Sequence, residues 1–63
     1  MTAEEFKAIR KARGETEIEF GRALGYGGSD DNLARLIRRI ETGKKEITPQ
    51  KALKAIQLSY GSR

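Results

Sequence analysis

Apolar residues recur three and four positions apart along most of this chain, which is the spacing of an α-helix. The clearest case runs from Ser29 to Gly43. Its apolar and arginine side chains fall on opposite sides of a helical projection: Leu33, Leu36, Ile37 and Ile40 on one, and Arg35, Arg38 and Arg39 on the other. Ser29 is a typical N-cap, and Gly43 typically follows a helix end. The pattern predicts a helix with one buried side and one basic side.

Start signals precede three further helices. In two places a Thr is followed three residues later by a Glu, the spacing of a capping box, and in a third a Thr precedes a Pro. These signals lie at Thr2–Glu5, Thr16–Glu19 and Thr48–Pro49. Helices are expected near 3–13, 17–24, 30–42 and 49–59. Because no strand pattern, repeat or linker interrupts them, we predict an all-α, compact four-helix domain spanning residues 1–63.

Packing positions are less clearly indicated than the helices. On the fourth helix, Leu53, Ile56 and Tyr60 are expected to point inward. Tyr26 lies in a glycine-rich turn, where it is expected to fill the core between the second and third helices, with base stacking as the alternative. Gly21 costs about 1 kcal/mol relative to Ala inside a helix. Either another helix approaches closely there, or the chain tolerates the cost.

Composition restricts the possible functions. The chain has no Cys and no His, so thiolate and imidazole metal ligands and the commonest general base are missing. No nucleophile lies beside an evident base, and the carboxylates show no ligand spacing. We therefore expect neither an enzyme nor a metal or other cofactor. No long apolar run or signal peptide is recognisable, so a cytoplasmic protein that is not embedded in a membrane is expected.

Charge points to a polyanionic partner. Lys and Arg number 13 against 9 acidic residues, for a formal charge of +4. The charges are also segregated along the chain. Residues 35–45 contain five basic residues and one acidic residue, whereas residues 15–19 contain three acidic residues and no basic one. A merely solvated surface does not require such segregation.

Four segments in order resemble the helix-turn-helix DNA-binding proteins of the phage Cro/repressor type, the XRE family. They are Phe6-Lys-Ala-Ile-Arg-Lys-Ala-Arg-Gly14, the pattern Thr-x3-Phe-Gly-x2-Leu-Gly over 16–25, Arg35-Leu-Ile-Arg-Arg-Ile-Glu-x-Gly43, and the basic loop 44–49 followed by a helix. Together they cover most of residues 4 to 58. The resemblance implies a lambda-repressor-like fold in which the second and third helices form the DNA-binding unit. It also implies a buried ion pair between Arg10 and Glu41.

This reading assigns DNA contacts to eight residues. Those expected to contact bases are Asn32, Arg35, Arg38 and Arg39. Those expected to contact phosphates are Arg22, Thr42, Lys44 and Lys45. The alternatives are an arginine-rich face that is simply solvated, ordinary surface lysines, and an Asn32 side chain that bonds its own backbone. Lys51 and Lys54 fit either a phosphate-binding or a surface role.

Two features depart from the family pattern. The chain is several residues longer than usual between Gly25 and Glu41, with the extra residues at roughly 27–32. Glu17 stands where family members often have a Gln that touches a phosphate. The first departure alters the expected angle between the second and third helices. The second places a charge that repels phosphate at the start of the second helix.

The function expected from these observations is sequence-specific binding of double-stranded DNA by a transcriptional repressor. It would act most simply as a homodimer on a palindromic operator. The fourth helix, with Leu58 and Tyr60, is the expected dimer surface. Two alternatives remain: a protein-interaction module, such as an antitoxin or adaptor that holds a protein partner with the same fold, and an RNA-binding helical domain.

Overall fold

The structure, a computed structural model, describes residues 1–60 and contains four α-helices. They are α1 (Ala3–Arg13), α2 (Glu17–Ala23), α3 (Asp30–Glu41) and α4 (Pro49–Tyr60). Every boundary lies within one residue of its predicted position. No strand occurs in residues 1–60, and the predicted all-α, compact four-helix fold is confirmed.

Side-chain caps define the start of each helix. Both predicted capping boxes are present: the Glu5 amide donates to Thr2 Oγ1 (3.1 Å) and the Thr2 amide to Glu5 Oε1 (2.8 Å), with the same distances between Thr16 and Glu19. Ser29 Oγ accepts from the Asn32 amide, and Thr48 Oγ1 accepts from the Lys51 amide, each at 3.3 Å. Each cap satisfies a backbone donor that has no partner within its own helix.

The core lies where the four helices meet. Its fully or almost fully buried side chains are Phe6, Phe20, Leu24, Leu33, Ile37, Ile40 and Ala55. The rings of Phe6 from α1 and Phe20 from α2 lie 5.1 Å apart at 59°, a tilted arrangement that aromatic pairs favour. Because the chain is short, these few residues supply most of its hydrophobic stabilisation.

Close packing between α2 and α3 explains Gly21. This glycine is buried, and a Cβ added to it would lie 3.2 Å from Leu33 Cδ2 and 3.3 Å from Ile37 Cγ1. A side chain at this position would require the Leu33 and Ile37 side chains to shift by a few tenths of an ångström. Of the two interpretations of Gly21, the close approach of another helix is confirmed.

Tyr26 lies in the connection between α2 and α3 and is partly buried against the core. Its predicted packing against the core is confirmed. Lys51 of α4 covers its ring, with Nζ 4.7 Å from the ring centroid, and also donates to the carbonyl of Leu24 (3.1 Å). Lys51 is thus engaged in a cation–π contact and a hydrogen bond within the fold.

The packing predicted for α4 is wrong. Leu53, Ile56 and Tyr60 are exposed by 56%, 40% and 87%, whereas Ala55 is completely buried and Leu58 packs partly against the core. Ala55 is the residue of α4 that lies in the core, and α4 packs chiefly against α1. Leu58, which was expected on a dimer surface, is partly buried against the core.

None of the four described helices has both the length and the apolar character needed to span a lipid bilayer.

Candidate nucleic-acid interface

The two-sided character of α3 determines where its basic residues lie. Leu33, Ile37 and Ile40 are buried, which fixes the rotation of the helix about its axis. Arg35, in contrast, is exposed on the opposite side. The buried apolar residues therefore orient the basic side toward solvent, as the sequence predicted.

A groove of about 400 Å³ opens beside this exposed side. Its lining residues are Asn32, Arg35, Leu36, Arg39, Lys44 and Lys45. Five of them are among the eight residues predicted to contact DNA, and none is acidic. Four cations around one concave surface create a positive potential that attracts an anion. Three of the four predicted base-contact residues of α3 and both lysines of the basic loop are thus brought together at one place.

The end of α3 brings the basic loop to this groove. Gly43 adopts a positive φ of 81°, a conformation that residues with a side chain rarely take. The chain then folds back so that the amides of Lys44 and Lys45 donate to the carbonyl of Arg39, at 2.9 and 3.2 Å. Both lysines are therefore held beside Arg39 by backbone bonds and do not extend into solvent as a free loop.

Thr42 contributes to the same helix end. Its hydroxyl lies 3.0 Å from the carbonyl of Arg38 and 3.2 Å from that of Arg39, and it donates to these helix-terminal acceptors. These carbonyls have no amide partner within α3. Thr42 is exposed but does not line the groove, so its observed contacts are those of a helix cap.

An ion pair joins the C-terminal end of α3 to α1. Arg10 Nε donates to Glu41 Oε2 at 2.5 Å and Arg10 Nη2 to Glu41 Oε1 at 3.2 Å, so the pair is bidentate. A third bond runs from Arg10 Nη1 to the carbonyl of Glu15 (3.0 Å). The hydrogen bond that Arg10 donates to Glu41 raises the pKa of Arg10 above its ordinary value. The predicted pair is present, and it orders the helix that carries the groove.

Two predicted contact residues lie outside the groove and are paired with carboxylates. Arg38 donates to both oxygens of Glu17, with Nε–Oε2 and Nη2–Oε1 distances of 3.3 and 3.4 Å. Arg22 pairs with Asp30 across the α2–α3 connection. Both arginines are more than half exposed. Water competes for such pairs, so each arginine remains available for another partner.

A second arginine that links separate parts of the fold was not predicted from the sequence. Arg13 pairs with both oxygens of Glu15 (2.6 and 3.2 Å) and donates to the carbonyl of Leu58 (2.9 Å). The hydrogen bond that Arg13 donates to Glu15 raises the pKa of Arg13 above its ordinary value. Arg13 lies on the same side of α1 as Arg10, which could have indicated a similar role. Its acceptor on α4 is a backbone carbonyl, and no residue type in the sequence identifies such an acceptor.

Within 1–60, no three His, Cys, Asp or Glu side chains lie close enough together to hold a metal ion. The groove offers guanidinium, ammonium and amide groups, which donate hydrogen bonds and suit phosphate oxygens and the acceptor edges of bases.

No protein-family model, curated protein or solved structure matches this chain. The resemblance to the Cro/repressor family thus depends on the quoted segments alone.

Proposed function

We propose that this protein binds double-stranded DNA in a sequence-specific manner and represses transcription, in the manner of a Cro/repressor-type helix-turn-helix protein. The observation that carries the proposal is the groove in which Asn32, Arg35 and Arg39 of α3 meet Lys44 and Lys45 of the loop. It combines side chains that read bases with side chains that hold phosphates, on a chain with a formal charge of +4.

The spacing along α3 suits the major groove of DNA. Asn32, Arg35 and Arg39 are separated by three and four residues, so they follow one side of the helix over two turns. An α-helix fits the major groove, where Arg pairs with guanine O6 and N7 and Asn pairs with adenine N6 and N7. With α3 in this position, Lys44 and Lys45, which follow its C-terminal end, are suited to contact the flanking phosphates.

The simplest mode of action is a homodimer on a palindromic operator. The Cα atoms extend 27 × 20 × 19 Å, whereas half-sites one helical turn apart are separated by roughly 34 Å. Two copies therefore fit side by side on one face of the duplex, each with its α3 in a successive major groove. Such a dimer would block access of polymerase to an overlapping promoter.

A salt titration of duplex DNA binding tests this proposal. We expect log K to fall linearly with log salt concentration, with a slope of about −0.9 per phosphate contact. Lys44→Ala with Lys45→Ala should make the slope shallower by about 2. The matched control is Lys7→Ala with Lys11→Ala on α1, which removes the same charge outside the groove and should leave the slope nearly unchanged.

Selection of bound sequences from random duplexes then gives the operator and its symmetry. The proposal fails if no duplex binds at low salt with a dissociation constant below about 10 µM, a value within the ordinary range of non-specific affinity. The protein-interaction module, such as an antitoxin or adaptor, then becomes the leading interpretation. Tighter binding to RNA than to duplex DNA of the same sequence would favour the RNA-binding alternative.

A further inference from the structure

Among the described residues that line the groove, Leu36 is the apolar one. The helical projection places it on the buried side of α3, and it does pack partly against the core. Its remaining surface borders the groove together with Asn32, Arg35 and Arg39. These four residues follow the spacing i, i+3, i+4 and i+7, so they share one side of the helix. Leu36 therefore lies at the boundary between the core and the candidate base contacts.

The neighbours of Leu36 in the groove are all polar. They are two arginines, two lysines and Asn32, and each of them carries hydrogen-bond donors. A leucine side chain forms no hydrogen bond, so it cannot bind a phosphate or the polar atoms of a base edge. It can only gain from contact with an apolar group of the ligand, because that contact removes apolar surface from water.

Thymine supplies such a group. In the major groove the base edges present hydrogen-bond donors and acceptors, and the 5-methyl group of thymine is the apolar exception. We propose that Leu36 contacts this methyl group and thereby selects a T·A base pair in the operator. The inference rests on the proposed function and deepens it, because it assigns one base pair to a residue that was not among the expected DNA contacts.

The position of Leu36 along α3 indicates where the thymine lies. Leu36 follows Arg35 by about 1.5 Å along the helix axis and precedes Arg39 by about 4.5 Å. Successive nucleotides of one strand are about 3.4 Å apart along the duplex. The selected thymine should therefore lie within one or two base pairs of a guanine that Arg35 or Arg39 contacts.

The methyl contact would also favour DNA over RNA. Uracil lacks the 5-methyl group, and side chains cannot read the deep, narrow major groove of an A-form RNA helix. An RNA duplex of the same sequence therefore offers Leu36 no equivalent partner.

Deoxyuridine substitution tests the contact at the level of one methyl group. Deoxyuridine pairs with adenine as thymidine does and keeps the O4 acceptor, but it lacks the methyl group. Each thymine in one half of a selected operator is replaced in turn, and the dissociation constant is measured for the wild type and for Leu36→Ala. For the wild type we expect a loss of about fourfold at one position, as for the burial of one methyl-sized group. For Leu36→Ala the same replacement should have little effect.

Two further variants distinguish this contact from a loss of stability. Ile47 also packs partly against the core but does not line the groove, so Ile47→Ala should retain the fourfold response. Leu36→Met keeps an apolar side chain of similar size and should retain most of it. Each response is a ratio of two duplexes bound by the same variant, so a reduced folded fraction cancels.

5-Methylcytosine provides a second probe. It carries a methyl group at the position of the thymine methyl, but its pair with guanine presents different hydrogen-bonding groups. At the selected position, 5-methylcytosine should bind the wild type about fourfold more tightly than cytosine does. Leu36→Ala should bind the two duplexes equally.

The results separate this inference from the proposed function. If the wild type binds a selected operator but no thymine responds to deoxyuridine, or if Leu36→Ala keeps the fourfold response, the inference is wrong and sequence-specific binding stands. A selected operator that contains no thymine has the same meaning. If no duplex is bound, the inference and the proposed function fail together.

Discussion

Arg10 and Glu41 lie 31 residues apart in the chain and meet in a bidentate ion pair between α1 and α3. Their side chains are only 15% and 5% exposed. Each charge therefore depends on the other for most of the interactions that water would otherwise supply. The pair connects α1 to the C-terminal end of α3, the helix that lines the basic groove.

Removal of one partner should be costly. Glu41→Ala leaves Arg10 largely buried without its carboxylate, and we expect the free energy of unfolding to fall by about 3 kcal/mol. Urea denaturation followed by circular dichroism measures the change. Glu46→Ala removes an exposed carboxylate from the nearby loop and should change stability by less than about 0.5 kcal/mol.

Replacement of both partners distinguishes an unpaired charge from general damage to the packing. The double variant Arg10→Met with Glu41→Leu has no buried charge, so it should recover much of the stability that Glu41→Ala loses. If Glu41→Ala unfolds at the same urea concentration as the wild type, the pair does not contribute to stability.

Groove residues should divide into two kinds when DNA binding is measured. Arg35→Ala and Arg39→Ala should each cost about 1–3 kcal/mol on the preferred sequence and relax the choice of base at one position. Lys45→Ala should weaken all sequences alike, because a phosphate contact carries no base information. Competition assays with single-base operator variants measure both effects. Uniform losses for all three variants would contradict this division.

Arg38 should respond to its neighbour on α2. Glu17→Gln releases Arg38 from its carboxylate partner and removes a charge that repels phosphate, so we expect tighter binding to DNA. Glu19→Gln is a close control, since it removes the same charge two residues away, and its amide oxygen can still accept the capping-box hydrogen bond. The Arg38 pair has no influence on binding if the two variants gain equal affinity at low salt.

High pH should weaken the fold through Tyr26. Burial raises the pKa of Tyr26, so its stabilising contribution is complete below about pH 10, the pKa of tyrosine in an unfolded chain. That contribution is lost as the pH rises through the higher pKa of the folded state. Tyr26→Phe should reduce this pH dependence of the unfolding free energy. Tyr60→Phe leaves Tyr26 as the only tyrosine, so an absorbance titration reads its pKa directly; a value at or below 10 would contradict the expectation.

The helix boundaries could be predicted because they depend on residues that are close together in the sequence. Thr2, Thr16, Ser29 and Thr48 cap amides three residues ahead, so the sequence alone indicates each start. The orientation of α4 was predicted wrongly because it depends on the distance between helices. Apolar size favoured Leu53 and Ile56 as inward residues, but close approach of the helices favours Ala55. No local pattern encodes that choice.

The same limit applies to the candidate site. The two sides of α3 follow from its periodicity, and the groove residues Arg35, Arg39, Lys44 and Lys45 were all predicted. The sequence did not separate Arg38 from them. Its pairing with Glu17 depends on how α2 lies against α3, and the two residues are 21 positions apart. Such a contact becomes visible only once both helices are placed.

The two ends of α3 are held with unequal firmness. Its C-terminal end is held by the ion pair between Glu41 and Arg10. Its N-terminal end follows a connection with exposed Gly27 and Gly28, and Asp30 there forms an exposed ion pair with Arg22. Amide hydrogens in the first turn should therefore exchange faster than those near Ile40. On DNA, the C-terminal end of α3 would then set the register of the protein on the duplex, while the N-terminal end adjusts to the base pairs it contacts.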